Sequence, residues 1–341
     1  MQVECESNLF AKFAINISGF LIQKILLVTT KIRSTILNAV KQSLPQGMKT
    51  AIWLLKLTIP IAFGVFLLDY IGILEWIALI TEPLFALFGL SGNASVILIT
   101  SFFTNIYSVI AVMATLDMPV REGIILANMC LIAHALIVES GIQKKTGSSA
   151  IRMVFLRVFA SFLAAWILNQ ILPEMEGTIK AGASIMREGF LPDFLSWLKS
   201  ITITSIKIVV LVNLLLILQR LLQEFGILKW LVRPFHPLLK IMGLPRNTGF
   251  LWLVAYTLGL SYGGAVMIGQ SVEGKLSSND ADLLNHHIAI SHSQFEDTLL
   301  FAAVGFSIPW LIFPRFMIAV LAVWLRRLEI SLRTRGRLRM A

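Results

Sequence analysis

The chain has 341 residues, of which 57% are hydrophobic and only 14% charged, and it carries a formal charge of +10. Its mean hydropathy is +0.80. An ordinary soluble domain carries about 25% charged residues, so a soluble enzyme and a disordered chain are both excluded, and the composition reads as an all-α polytopic membrane protein.

In chain order the first region is 1–48. Lys12, Lys24, Lys31, Arg33 and Lys41 interrupt an apolar pattern there. Residues 8–45 therefore read as amphipathic helix on the cytoplasmic face, or as a seventh span at 8–29. Glu4, Glu6 and the lack of a small-residue cleavage site argue against a removable signal peptide. Cys5 and Cys130 are too few and too far apart for a disulfide framework or a thiolate metal site.

The dominant signal beyond residue 48 is an internal repeat. Gly72-Ile73-Leu74-Glu75-Trp76 returns as Gly226-Ile227-Leu228-Lys229-Trp230, and Pro83, Gly89, Asn93 and Ala111-Val112-Met113 match Pro237, Gly243, Asn247 and Ala265-Val266-Met267 at the same offset of 154. Beyond a four-residue insertion the offset becomes 158, pairing His134 with His292, Glu139 with Asp297, Arg157 with Arg315 and Trp166 with Trp324. The halves are 49–171 and 203–328, joined by a linker at 172–202 and followed by a basic tail at 329–341.

Each half reads as five segments. Segment A (50–69; 203–222) is long enough to span a core of about 30 Å. Segment B (72–89; 226–243) is apolar along one side and interrupted by proline. It is acidic in the first half, with Glu75 and Glu82, and basic in the second, with Lys229, Arg233 and Lys240. Segment C (92–116; 247–271) holds polar or glycine-rich residues in mid-run, Thr104-Asn105 and Gly259 to Gly264. It reads as a re-entrant hairpin, tolerated only where protein or a wet cavity satisfies its broken backbone. Segment D (120–146; 279–304) carries the histidines and carboxylates within a helical pattern, and segment E (148–171; 308–328) spans.

Charge sets the topology. The linker has Glu174, Glu176, Glu188 and Asp193 against Lys180, Arg187 and Lys199, whereas six arginines crowd the last sixteen residues. The linker is thus expected outside and the carboxyl terminus in the cytoplasm, each half crossing three times, so six core spans, with the second half inverted.

The residues Gly89-Leu90-Ser91-Gly92-Asn93, Ala111 to Thr115 and His134 to Glu139, with their counterparts through His292 to Asp297, resemble the Gate, or nucleoside recognition, membrane proteins. Spore maturation proteins A and B and the Gate regions of ferrous iron transport protein B are similar, and the hairpins are similar to those of concentrative nucleoside transporters. The resemblance covers 49–328 and implies a transporter, or transport-like binding protein, in the inner membrane. Its expected partners are the lipid bilayer and a small polar, nucleoside-like solute. Divalent-metal passage is an alternative implied by the iron transporter, and a non-transporting partner of a second Gate protein by the spore proteins; a homo-oligomer is a further expected partner.

The candidate solute-binding residues are Thr104, Asn105, His134, Ser261, His292, Gln294 and Glu296. His134 and His292 fall near the bilayer centre, where ionisable groups are expensive and mark a pathway or relay; a neutral histidine bonded between helices is the plainer reading. His292 and Glu296, four apart on one helix, with Asp297, offer imidazole and carboxylate to a metal. Glu139 with Arg157, and Asp297 with Arg315, sit at matching depths and read as buried ion pairs between segments D and E. The hairpin tips present backbone dipoles or pack closely. No phosphate loop, nucleophile triad or dinucleotide fingerprint is present, so neither catalysis, a cofactor nor a nucleic-acid partner is expected.

Overall fold

The computed structural model describes residues 29–340 except 46, 50, 53–54, 57–58, 61, 65, 69, 114–115, 180–188 and 228–232. The readings made on residues 8–28, Lys180, Arg187, Glu188 and Lys229, and on much of the first segment A, lie outside the described residues.

The described residues are helical almost throughout. Segment B of the first half is α1 (Ile73–Ala86), with Pro83 inside it. Segment C is a pair, α2 (Ala94–Phe103) and α3 (Ile106–Met113). Segment D is also a pair, α4 (Val120–Ala133) and α5 (Leu136–Lys145), and segment E is α6 (Ala150–Ile171). After the linker come α7 (Phe190–Glu224), the short α8 (His236–Ile241), and a second segment C split into α9 (Gly249–Leu258) and α10 (Leu260–Val272). The second segment D is α11 (Ser278–Ile288) and α12 (Glu296–Ala302), and α13 (Ile308–Met340) closes the chain. Two two-residue strands, β1 (Met118–Pro119) and β2 (Thr178–Ile179), pair antiparallel and tie the linker to the turn before α4.

The sequence-based boundaries shift in three places. Helix α7 begins at Phe190, inside the expected linker, and α13 runs on through the basic tail. Segment D is not one helix in either half, but two pieces separated at the histidine. Among the described residues, four helical stretches are long and apolar enough to cross a membrane: 120–145, 150–171, 190–222 and 308–334.

Burial shows which helix faces the protein leaves uncovered. On α6, Phe155, Phe159 and Trp166 are exposed while Met153, Arg157, Ala160 and Ala164 are buried. Helix α13 repeats this, exposing Phe313, Met317 and Trp324 and burying Leu311, Arg315 and Ala319. An outward stripe of large aromatic and aliphatic side chains is unstable in water and at home in hydrocarbon. Helix α4 is different: Ile124 to Ala133 are all buried, so it runs through the protein interior, packed against α6 and α13. Buried hydrogen bonds also join the halves. Asn285 on α11 donates to Thr146 Oγ1 and Ser148 Oγ at 2.9 and 3.0 Å, and Ser148 donates to Asp282 Oδ1 at 2.6 Å.

The second hairpin depends on small residues. Gly259 sits at φ 89°, between α9 and α10, where an L side chain is strained. A Cβ on Gly263 would lie 2.9 Å from the Ala255 Cα across the hairpin. Backbone cannot yield there, so Gly263→Ala is expected to lower stability by about 1–3 kcal/mol. Equilibrium unfolding in detergent reads this, and an unchanged midpoint would mean that α9 and α10 are not closely packed.

Candidate functional site

Two consecutive residues interrupt segment D in the first half. His134 is extended (φ −73°, ψ 159°) and Ala135 is left-handed (φ 46°, ψ 39°). In the second half Ser293, at the position matching Ala135, has φ 48°. Each left-handed non-glycine residue costs roughly 1–2 kcal/mol, and each break strands backbone groups in a dry interior. The hairpins supply their partners. Ala135 N donates to Ser101 O and Thr104 O at 2.8 and 2.9 Å, where α2 ends; Ser293 N and Gln294 N donate to Ala255 O and Tyr256 O at 3.1 and 2.8 Å, near the end of α9. Segments C and D therefore break at the same level, each satisfying the other.

The freed carbonyls are held by two arginines with no exposed surface. Arg157 donates from Nε to Ile132 O and from Nη2 to His134 O, both at 2.7 Å. Arg315 donates from Nε to Ile290 O at 3.4 Å and from Nη2 to His292 O at 2.8 Å. A guanidinium fork suits two carbonyls of an unwound turn in a way that an ammonium does not. The matching spacing in both halves explains why Arg157 and Arg315 recur.

The two histidines meet between the breaks. His134 Nε2 and His292 Nε2 are 3.4 Å apart, and their rings are tilted with centroids at 5.1 Å. Each Nδ1 faces a carbonyl one turn back, Cys130 O at 3.1 Å and Ile288 O at 2.8 Å. A carbonyl only accepts, so each Nδ1 carries a hydrogen and the two Nε2 atoms are left facing the centre. Glu139 reaches the same point, its Oε1 lying 3.2 Å from both Nε2 atoms. The other oxygen, Oε2, is 2.6 Å from Arg157 Nη2. Asp297 stands beside the cluster, with Oδ2 at 3.7 Å from His134 Nε2. No hydrogen-bond donor among the described residues reaches that oxygen.

Of the residues nominated from sequence, His134 and His292 come together, and Glu139 contacts Arg157 while also joining the histidines. The second ion pair differs: Arg315 is turned to the carbonyls and to Gln294 Oε1 at 3.4 Å, and the basic side chain within 4.0 Å of the Asp297 carboxylate among the described residues is His134. Gln294 thus supports Arg315, and its Nε2 donates to Ser291 Oγ at 2.8 Å. Glu296 accepts from Tyr107 Oη at 2.7 Å and is absent from the His–Glu cluster. The break at 289–295 removes the shared helix face assumed for His292 and Glu296. Thr104 Oγ1 donates to Thr100 O at 2.7 Å, so its contribution to the junction is its carbonyl. Asn105 Oδ1 accepts from Ser108 N at 3.1 Å at the start of α3, and Ser261 is exposed. Sequence reasoning missed Glu139 as a partner of both histidines, although its place five residues after His134 was visible.

A model of the Gate family, described as nucleoside recognition, matches residues 51–176. The chain is also similar to the uncharacterized membrane protein YvoD of Bacillus subtilis, with 30% identity over 285 residues, covering 82% of this chain and 90% of that protein. No solved structure matches.

Proposed function

Because the chain belongs to the Gate, or nucleoside recognition, family of membrane proteins, we propose that it carries a small polar solute across the cell's inner membrane. The two halves act as inverted repeats, each with three spans, an interfacial helix and a re-entrant hairpin, and the solute site lies near the midplane where their broken helices meet. The basic carboxyl terminus faces the cytoplasm, and the chain works by binding and release rather than by catalysis.

One observation carries this reading: His134 and His292, from equivalent places in the two halves, converge at 3.4 Å at the junction of four interrupted segments. Discontinuous helices at membrane depth expose main-chain groups to a solute, and ionisable residues there mark pathways. Burial of both histidines fits a site closed on both sides in this conformation.

Reconstituted proteoliposomes test it, with labelled nucleosides, nucleobases and divalent cations offered outside. Saturable uptake of one class is expected, reduced at least tenfold in His134→Ala and in His292→Ala when both variants reconstitute as folded protein. Uptake indifferent to both substitutions would place the pathway elsewhere. No uptake of any class would contradict transport.

A further inference from the structure

Three groups meet at the centre of the cluster, and as neutral imidazoles and a carboxylate all three are acceptors. His134 Nε2, His292 Nε2 and Glu139 Oε1 are separated by 3.2, 3.2 and 3.4 Å. A proton on either ring satisfies one contact and leaves the other Nε2 lone pair facing the Glu139 oxygen. A cation at the centre satisfies all three at once.

The spacing selects the kind of cation. Tetrahedral ligands at about 2.1 Å from a metal are about 3.4 Å from one another, and octahedral neighbours about 3.0 Å; the observed triangle falls in this range without rearrangement. Two imidazole nitrogens with one carboxylate favour first-row transition ions over magnesium or calcium, which take oxygen ligands. The Nδ1–H to carbonyl bonds of both rings are the outer contacts that fix a metal-binding histidine's tautomer and direction. Asp297 Oδ2, buried and without a hydrogen-bond donor, lies just outside the triangle, 3.7 Å from His134 Nε2.

We propose that this cluster is a binding site for a divalent first-row transition-metal ion, with His134, His292 and Glu139 as ligands and Asp297 as the fourth. This names the solute class of the site described above and rests on that reading for passage across the membrane; binding itself does not depend on it. The site draws one histidine from each half, so relative movement of the halves would open the triangle and release the ion. Glu139, held by Arg157 on its other oxygen, keeps the first half's share of the site in place during such movement.

The test uses purified full-length protein in detergent, freed of metal with a chelator. Cobalt titration followed by visible absorption is expected to give saturable ligand-field bands at one ion per chain, displaced by zinc. His134→Gln, His292→Gln and Glu139→Gln, chosen to keep volume and hydrogen bonding, should each weaken binding by more than the ~10–100-fold attributable to an outer-shell partner. Asp297→Asn should weaken it less. Should any variant fail to fold, the wild-type protein's cobalt spectrum still decides whether nitrogen ligands are engaged. Absence of saturable cobalt or zinc binding by folded protein overturns the proposal, as does wild-type affinity in all three glutamine variants, or stabilisation that follows pH but not metal. Metal bound by the triad but not carried into proteoliposomes would leave the site standing and remove the transport reading. Uptake of an organic solute by protein that binds no metal would do the reverse.

Discussion

Arg157→Leu is expected to lower the unfolding free energy by about 3–5 kcal/mol, the range seen when one partner of a buried ion pair is removed. The side chain has no exposed surface and touches three acceptors: the carbonyls of Ile132 and His134, and the Glu139 carboxylate. Leucine would leave all three without this donor in a dry interior, and the carbonyls belong to the turn that positions His134. Arg157→Lys keeps the charge but not the fork, so it should recover only part of the loss. Denaturant unfolding in detergent measures both. A leucine variant as stable as the parent would mean that the break at His134 is held by other contacts.

Glu139→Leu should be the second most damaging substitution, for a different reason. It removes the carboxylate paired with Arg157 and also the acceptor facing both histidines. Arg157 would keep its two carbonyls, so the expected loss is smaller than for Arg157→Leu, though still about 3 kcal/mol because a buried charge is left uncompensated. The double variant Glu139→Leu with Arg157→Leu should be more stable than the sum of the single losses predicts, with a coupling of about 0.5–3 kcal/mol. Additive losses would show that the 2.6 Å contact contributes nothing beyond its separate partners.

Much of this arrangement was legible from residues alone. Composition assigned the membrane class, and the 154- and 158-residue offsets exposed the paired histidines and arginines. Their depth near the bilayer centre was legible too, whereas the direct meeting of the two histidines is seen in the structure. The breaks in segment D were hidden, because Ala135 and Ser293 carry no propensity for a left-handed turn and lie in runs that otherwise favour helix. What holds them open is tertiary: amides answered by the hairpin ends, and carbonyls answered by an arginine 23 to 25 residues along the chain. The same hidden turn misled the pairing of His292 with Glu296, since spacing of four implies a shared face only on an unbroken helix. In the sequence the recurrence of Arg157 as Arg315 suggests a repeated ion pair. Its repeated partners turned out to be carbonyls, whereas the carboxylates Glu139 and Asp297 both turn toward the histidines.

The central claim is that a small solute binds where the two histidines meet. A thermal-shift titration of purified protein in detergent tests it most directly, with one panel of nucleosides and bases and another of ferrous, manganous and zinc ions, each repeated on His292→Ala. A ligand at 100 times its dissociation constant adds about 2.7 kcal/mol of stability. The account predicts a saturable rise in Tm with a divalent ion, absent from His292→Ala. A rise with nucleosides alone, also lost in that variant, would keep the site and change its cargo. No rise with either panel, in protein that unfolds cooperatively, would contradict the account.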